Sequence, residues 1–110
     1  MRIAAEIGID QVRHQRAAER FPAALGATLR EQGRNWFTTW VVNISTHGCR
    51  IEGCGRIPNG TVVWLKLPGI ESWQGRIAWT GSDSAGVEFE RALYPAVLQR
   101  ILQTPLRRGF

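Results

Sequence analysis

Lysine is almost missing from this chain: of 14 basic residues, Lys66 is the only one that is not arginine. Histidine and cysteine are scarce as well, limited to His14, His47, Cys49 and Cys54. Two cysteines are too few for a disulfide scaffold. A structural zinc site wants four well-spaced ligands, which this set does not offer, so neither a metal nor another cofactor is expected. Apolar runs long enough to span a bilayer are absent, and membrane insertion is not expected. Glu6 and Asp10 interrupt the N-terminal apolar stretch, so it does not read as a secretory signal, and the expected location is the cytoplasm. The chain also lacks a glycine-rich phosphate loop and a metalloprotease-type His-Glu pair. Ser45 and His47 invite a nucleophile–base reading, but nothing supplies a third member or an oxyanion site. A polar turn is the better reading there, and a binding module rather than an enzyme is expected.

What is present fits one domain. At 110 residues the chain can bury roughly two-thirds of its unfolded surface, enough for a single core. Hydrophobic residues make up 44% and charged residues 21%, a globular balance. The net charge is +5 and arginine carries it. Arginine presents a planar fork matched to phosphates and guanine edges, whereas lysine offers a point charge. The bias points to an anionic partner, although an arginine-rich proteome would give the same composition.

Hydrophobic periodicity divides the chain into three parts. Residues 1–20 form a basic arm with Arg2, Arg13, Arg16 and Arg20, either a weakly amphipathic helix or a mobile segment. Residues 21–103 have the grammar of short strands followed by a helix. Phe21 to Leu29 reads as a first strand, with Pro22 tolerable near its start. Trp36 to Ile44 is aromatic and β-branched. Cys49 and Ile51 alternate with Arg50 and Glu52, and Cys49 is expected to be a small buried hydrophobe. Val63, Leu65 and Leu67 alternate with Trp64 and Lys66. Trp73, Gly75, Ile77 and Trp79 form a further period-two set, and Val87 and Phe89 alternate with Glu88 and Glu90. From Tyr94 to Leu102 the period becomes helical, with Val97, Leu98, Ile101 and Leu102 on one face and Pro95 in the first turn. Residues 104–110 form a tail. Many short strands in so small a chain favour a closed barrel with the helix over one open side. Trp36, Trp40, Trp73 and Trp79 fall in step with apolar neighbours and are expected to be structural for the most part. Trp64 is the expected surface aromatic.

Two local motifs stand out. Arg16 and Arg20 form an R-x-x-x-R pair just before the first strand. The same spacing recurs at Arg30 and Arg34, which look like a solvated hairpin end. Asn43-Ile44-Ser45-Thr46-His47-Gly48 closes the second strand. Its Asn and Ser can bond their own turn, and Gly48 can take positive φ. The alternative is a ligand-facing corner in which an amide and a hydroxyl bond a polar ligand.

In combination these motifs resemble the bacterial PilZ family, which has R-x-x-x-R before its first strand and Asp/Asn-x-Ser-x-x-Gly at the end of its second. Gly75 to Trp79 and Gly86 to Phe89 look like the family's late strands, and a trailing helix follows. The resemblance spans about Arg13 to Leu102. Where the family often has a further arginine directly before the first motif arginine, this chain has Gln15, with Arg13 nearby. The resemblance implies a mainly β fold, a six-stranded antiparallel barrel with a C-terminal α-helix, and a second-messenger ligand, cyclic di-GMP. It implies ligand contacts at Arg16, Arg20, Asn43, Ser45 and Gly48, with Arg13 and Trp79 as further candidates. Trp79 reads equally as a stacking wall or as core. A sensor of this kind would change its N-terminal arm and surface on binding and signal to a protein partner, with no DNA or RNA involved. Two other readings compete: a small basic barrel that binds single-stranded nucleic acid on its tryptophans, and an adaptor of the same fold that has lost the ligand.

Overall fold

The computed structural model describes residues 19–103. Most of the basic arm, including Arg13 and Arg16, and the 104–110 tail lie outside the described residues. Six strands follow one another: β1 (Phe21–Glu31), β2 (Phe37–Ile44), β3 (Gly48–Glu52), β4 (Val62–Lys66), β5 (Trp73–Thr80) and β6 (Ser84–Phe89). One helix, α1 (Pro95–Leu102), comes after them. Every pairing is antiparallel, and the order β1-β2-β3-β6-β5-β4 closes on itself. Closure gives each of the six strands a hydrogen-bonded neighbour on both sides, although β4 covers only the Thr28–Glu31 part of β1. This is the six-stranded barrel with a C-terminal helix that the sequence predicts.

Period-two alternation places the core. Leu25, Ala27 and Leu29 of β1 point inward with Val41, Ile51, Val63, Leu65, Ile77, Val87 and Phe89 from the other strands. Two turns are tight because glycine takes the position that needs positive φ. Gly33 (φ 78°) sits in the turn closed by Arg34 N–H on the Glu31 carbonyl at 2.9 Å. Gly60 (φ 85°) does the same where Thr61 N–H meets the Pro58 carbonyl at 3.2 Å. Since β3 and β4 are not neighbours, the connection between them crosses the barrel, and its buried Cys54 and Ile57 join the core. The helix begins with Pro95 in its first turn after Tyr94, and its Leu98 and Ile101 are buried, with Val97 and Leu102 packed alongside.

Cys49 is 1% exposed, and burial pushes its thiol up to about 12 from an ordinary 9.0. In the unfolded chain the thiol ionises first, so the proton it keeps in the fold stabilises the barrel fully below about pH 9 and progressively less toward pH 12. Melting temperatures measured from pH 8 to 11 are expected to fall less steeply in Cys49→Ala than in the parent. Parallel slopes would contradict this assignment.

Candidate ligand-binding face

Two β-bulges decide what lies on the outer surface beside the Asn43 turn. In β2, Val41 pairs with Ile51 and Asn43 with Arg50, so Val42 is the extra residue. The bulge lets Val41 and Ile44 both point inward while Asn43 stays outside and half-buried. In β5, Ile77 pairs with Val87 and Trp79 with Gly86, so Ala78 is the extra residue. This second bulge breaks the period-two set and turns Trp79 outward, where it is 43% exposed. Gly86 permits the arrangement, because a Cβ there would run into the indole ring of Trp79.

The registers then align one residue per strand across the outer face. Pro22 of β1 faces Asn43 of β2, Asn43 faces Arg50 of β3, Arg50 faces Gly86 of β6, and Gly86 faces Trp79 of β5. Arg20, directly before β1, donates from Nη1 to Asn43 Oδ1 at 2.9 Å. Arg50 lies over the Trp79 ring, 5.7 Å from its centroid, and pairs with Glu52 at 3.2 Å. Two sequence motifs 23 residues apart are thus joined by one hydrogen bond, and a second arginine and an exposed indole continue the same surface. Such a row offers guanidinium forks for phosphates or base edges and a flat face for stacking.

In the turn, Ser45 follows the first of its two sequence alternatives and bonds its own backbone, while Gly48 departs from expectation. Ser45 is 1% exposed. Its Oγ accepts the backbone N–H groups of His47 at 3.1 Å and Gly48 at 3.2 Å. The hydroxyl is therefore committed to its own turn rather than aimed at the outer face. Gly48 does not take positive φ. Glycine is needed because a Cβ would collide with the Val87 carbonyl oxygen of the neighbouring strand.

The tryptophans also depart from expectation. Trp40 is 50% exposed because the inward residues of β2 are Thr39 and Val41, one of them polar. Thr39 is tolerated inside since its hydroxyl donates to the Glu52 carbonyl at 2.8 Å. Trp36 is exposed too, whereas Trp64, the expected surface aromatic, is half-buried. Trp73 is half-buried with its indole N–H on the Arg91 carbonyl at 2.8 Å, as a structural residue would be.

Of the expected site residues, the structure brings Arg20, Asn43 and Trp79 to one face and sets Ser45 and Gly48 beneath it. Arg13 and Arg16 lie outside the described residues. Sequence reasoning overlooked Arg50. Its outward phase was readable from Cys49 and Ile51, but its neighbours Asn43, Gly86 and Trp79 depend on bulges that no local pattern announces.

A family model described as PilZ domain matches residues 14–103. Among solved structures, the chain is similar to the PilZ domain of CeSA from a cellulose-synthesizing bacterium, with TM-score 0.56 and 17% identity over 76% of this chain and 90% of that one. It is also similar to the Bacillus subtilis inhibitor of motility (MotI/DgrA), with TM-score 0.55 and 18% identity over 84% of this chain. In that second case it spans 50% of the other chain's length. At these identities the structural likeness is one of fold. Comparison with curated proteins finds no match.

Proposed function

The chain belongs to the PilZ domain family, and from that premise we propose that it is a cyclic di-GMP receptor which binds the ligand across the Arg20–Asn43–Arg50–Trp79 face. The observation that carries this reading is the Arg20–Asn43 hydrogen bond, which joins the two motifs at one corner. Cyclic di-GMP presents two phosphates and two guanines. Arg20 uses one N–H of its fork on Asn43, and the others are available to a phosphate or to a guanine Hoogsteen edge. The amide oxygen of Asn43 can accept a second donor, such as a guanine N–H. Arg16 and Arg13 would add charge from the arm. Trp79 supplies a stacking surface and Arg50 a further guanidinium. Ser45 and Gly48 shape the turn from below. Binding would alter this surface and the arm before it, and a protein partner would read the change; the module itself performs no chemistry.

The exposed tryptophans keep the single-stranded nucleic acid reading testable, since stacking platforms beside arginines serve both ligands. Calorimetric titration with cyclic di-GMP, alongside GTP and a short oligothymidylate, separates them. Saturable binding of cyclic di-GMP alone is expected. Comparable oligonucleotide binding with a steep salt dependence would favour the other reading, and heat from none of the three would leave a ligand-free adaptor.

A further inference from the structure

A second charged aromatic cluster lies away from that face. Trp36, just ahead of β2, has both Arg30 of β1 and Lys66 of β4 over its ring, with centroid distances of 5.3 Å and 4.9 Å. Both cations stand on the outer face, because Arg30 pairs with Trp64 and Thr28 with Lys66 across β1 and β4. Thr28 also faces the exposed Thr38 of β2, so two hydroxyls adjoin the cations. The cluster is eight residues along β1 from the Pro22–Asn43 pair, roughly 25 Å at the rise of a strand. In the closed order, β4 stands across the barrel from β3.

Among the described residues, neither Arg30 nor Lys66 has a carboxylate partner; the indole is the only group each engages. Two like charges drawn to one ring repel each other, and an anion laid across them would relieve that repulsion. Partly exposed tryptophan and arginine are also the side chains that dominate protein–protein binding energy. The rim argues about the kind of anion. Beyond Trp64, a shallow depression is lined by Glu71, Gln74 and Glu90 along with Arg91. A polyanionic strand needs a continuous track of cations, and these carboxylates interrupt it. A protein segment needs only a local match of charge.

We infer that the Trp36–Arg30–Lys66 cluster is a docking surface for an acidic segment of a partner protein, whose carboxylates bridge Arg30 and Lys66 while an apolar side chain covers the outer face of Trp36. The surface is separate from the ligand face, so it stands or falls independently of cyclic di-GMP.

The test uses the full chain and a synthetic peptide carrying paired glutamates on a Gly-Ser-Leu background. The same peptide with glutamines and a short oligothymidylate serve as comparisons. Binding is followed by NMR through the Trp36 indole N–H and the amides of Thr28, Arg30 and Thr38. The glutamate peptide is expected to shift these signals, and the glutamine peptide to bind at least about tenfold more weakly. The double variant Arg30→Gln/Lys66→Gln should lose the glutamate peptide by a similar factor. The charge-matched Arg34→Gln/Arg56→Gln should retain it, with thermal melts confirming that both variants fold. Equal binding of the two peptides, equal loss in the two variants, shifts that map to the Asn43 corner instead, or tighter binding of the oligothymidylate at Trp36 would each overturn the inference.

Discussion

Arg20→Ala is expected to lower the affinity for cyclic di-GMP by about ten- to hundredfold, and Arg30→Ala to leave it nearly unchanged. This contrast is expected although both residues open an R-x-x-x-R spacing or close one. Arg20 donates to Asn43 at 2.9 Å and stands at the head of the Asn43–Arg50–Gly86–Trp79 row. Arg30 sits near the far end of β1, over Trp36. A lost charge-assisted hydrogen bond is worth roughly 1.5–3 kcal/mol, which converts to that range of affinity. A bidentate guanine contact would cost more. Arg16→Ala is expected to follow Arg20→Ala on the strength of the shared motif. Fold stability should barely change in Arg20→Ala, because exposed arginines contribute little to it. Ser45→Ala should behave in the opposite way. Its hydroxyl holds two backbone N–H groups inside the turn, so its loss is expected to cost about 1–3 kcal/mol of stability and to weaken binding mainly through a looser turn. Calorimetry paired with denaturant unfolding reads both effects. Unchanged binding in Arg20→Ala, with Arg30→Ala abolishing it, would mean that the wrong arginine pair has been assigned.

How far the sequence leads can be judged from these same residues. Alternation such as Val63-Trp64-Leu65-Lys66 is a local signal, and the structure keeps it. So is the change to helical spacing that buries Leu98 and Ile101. The barrel followed from counting such segments, whereas the expectation that the two motifs share a corner came from their resemblance to the PilZ family. What could not be read was phase after a bulge. One extra residue at Val42 and another at Ala78 reverse the facing of all that follows. These reversals are what bring Asn43 and Trp79 to the same outer row. Trp40 was misjudged for a different reason. An inward threonine made the polar member of the alternation the buried one, and its hydroxyl is satisfied by a carbonyl 13 residues away in sequence, on the next strand. Side-chain chemistry alone does not disclose such a partner.

The glycines of this face separate the same way, and they lead to the largest expected effect on stability. Gly48→Ala should destabilise the fold by on the order of 3 kcal/mol, the upper part of the range for overpacking. A melting temperature lower by about 10 °C or more would follow. The added methyl would meet the Val87 carbonyl oxygen, with the Val87 carbonyl carbon and Glu88 Cα also near, and all of these are backbone atoms of β6. Relief requires β3 and β6 to part at the pair Gly48–Glu88, the first rung of their ladder. The next rung holds Cys49 against Val87, both buried, so the disturbance reaches the core at once. Gly86→Ala offers the informative comparison. There the methyl would strike the Trp79 indole, an exposed side chain that can lift into solvent while the ladder stays intact. Its stability cost should stay below about 1 kcal/mol, whereas ligand affinity should fall because the stacking surface and Arg50 above it are displaced. Denaturant unfolding and titration of the two variants therefore give opposite orders: Gly48→Ala worse in stability, Gly86→Ala altered chiefly in binding. Equal destabilisation by the two would show that Trp79 is held as firmly as the backbone and does not form an adjustable wall of the site.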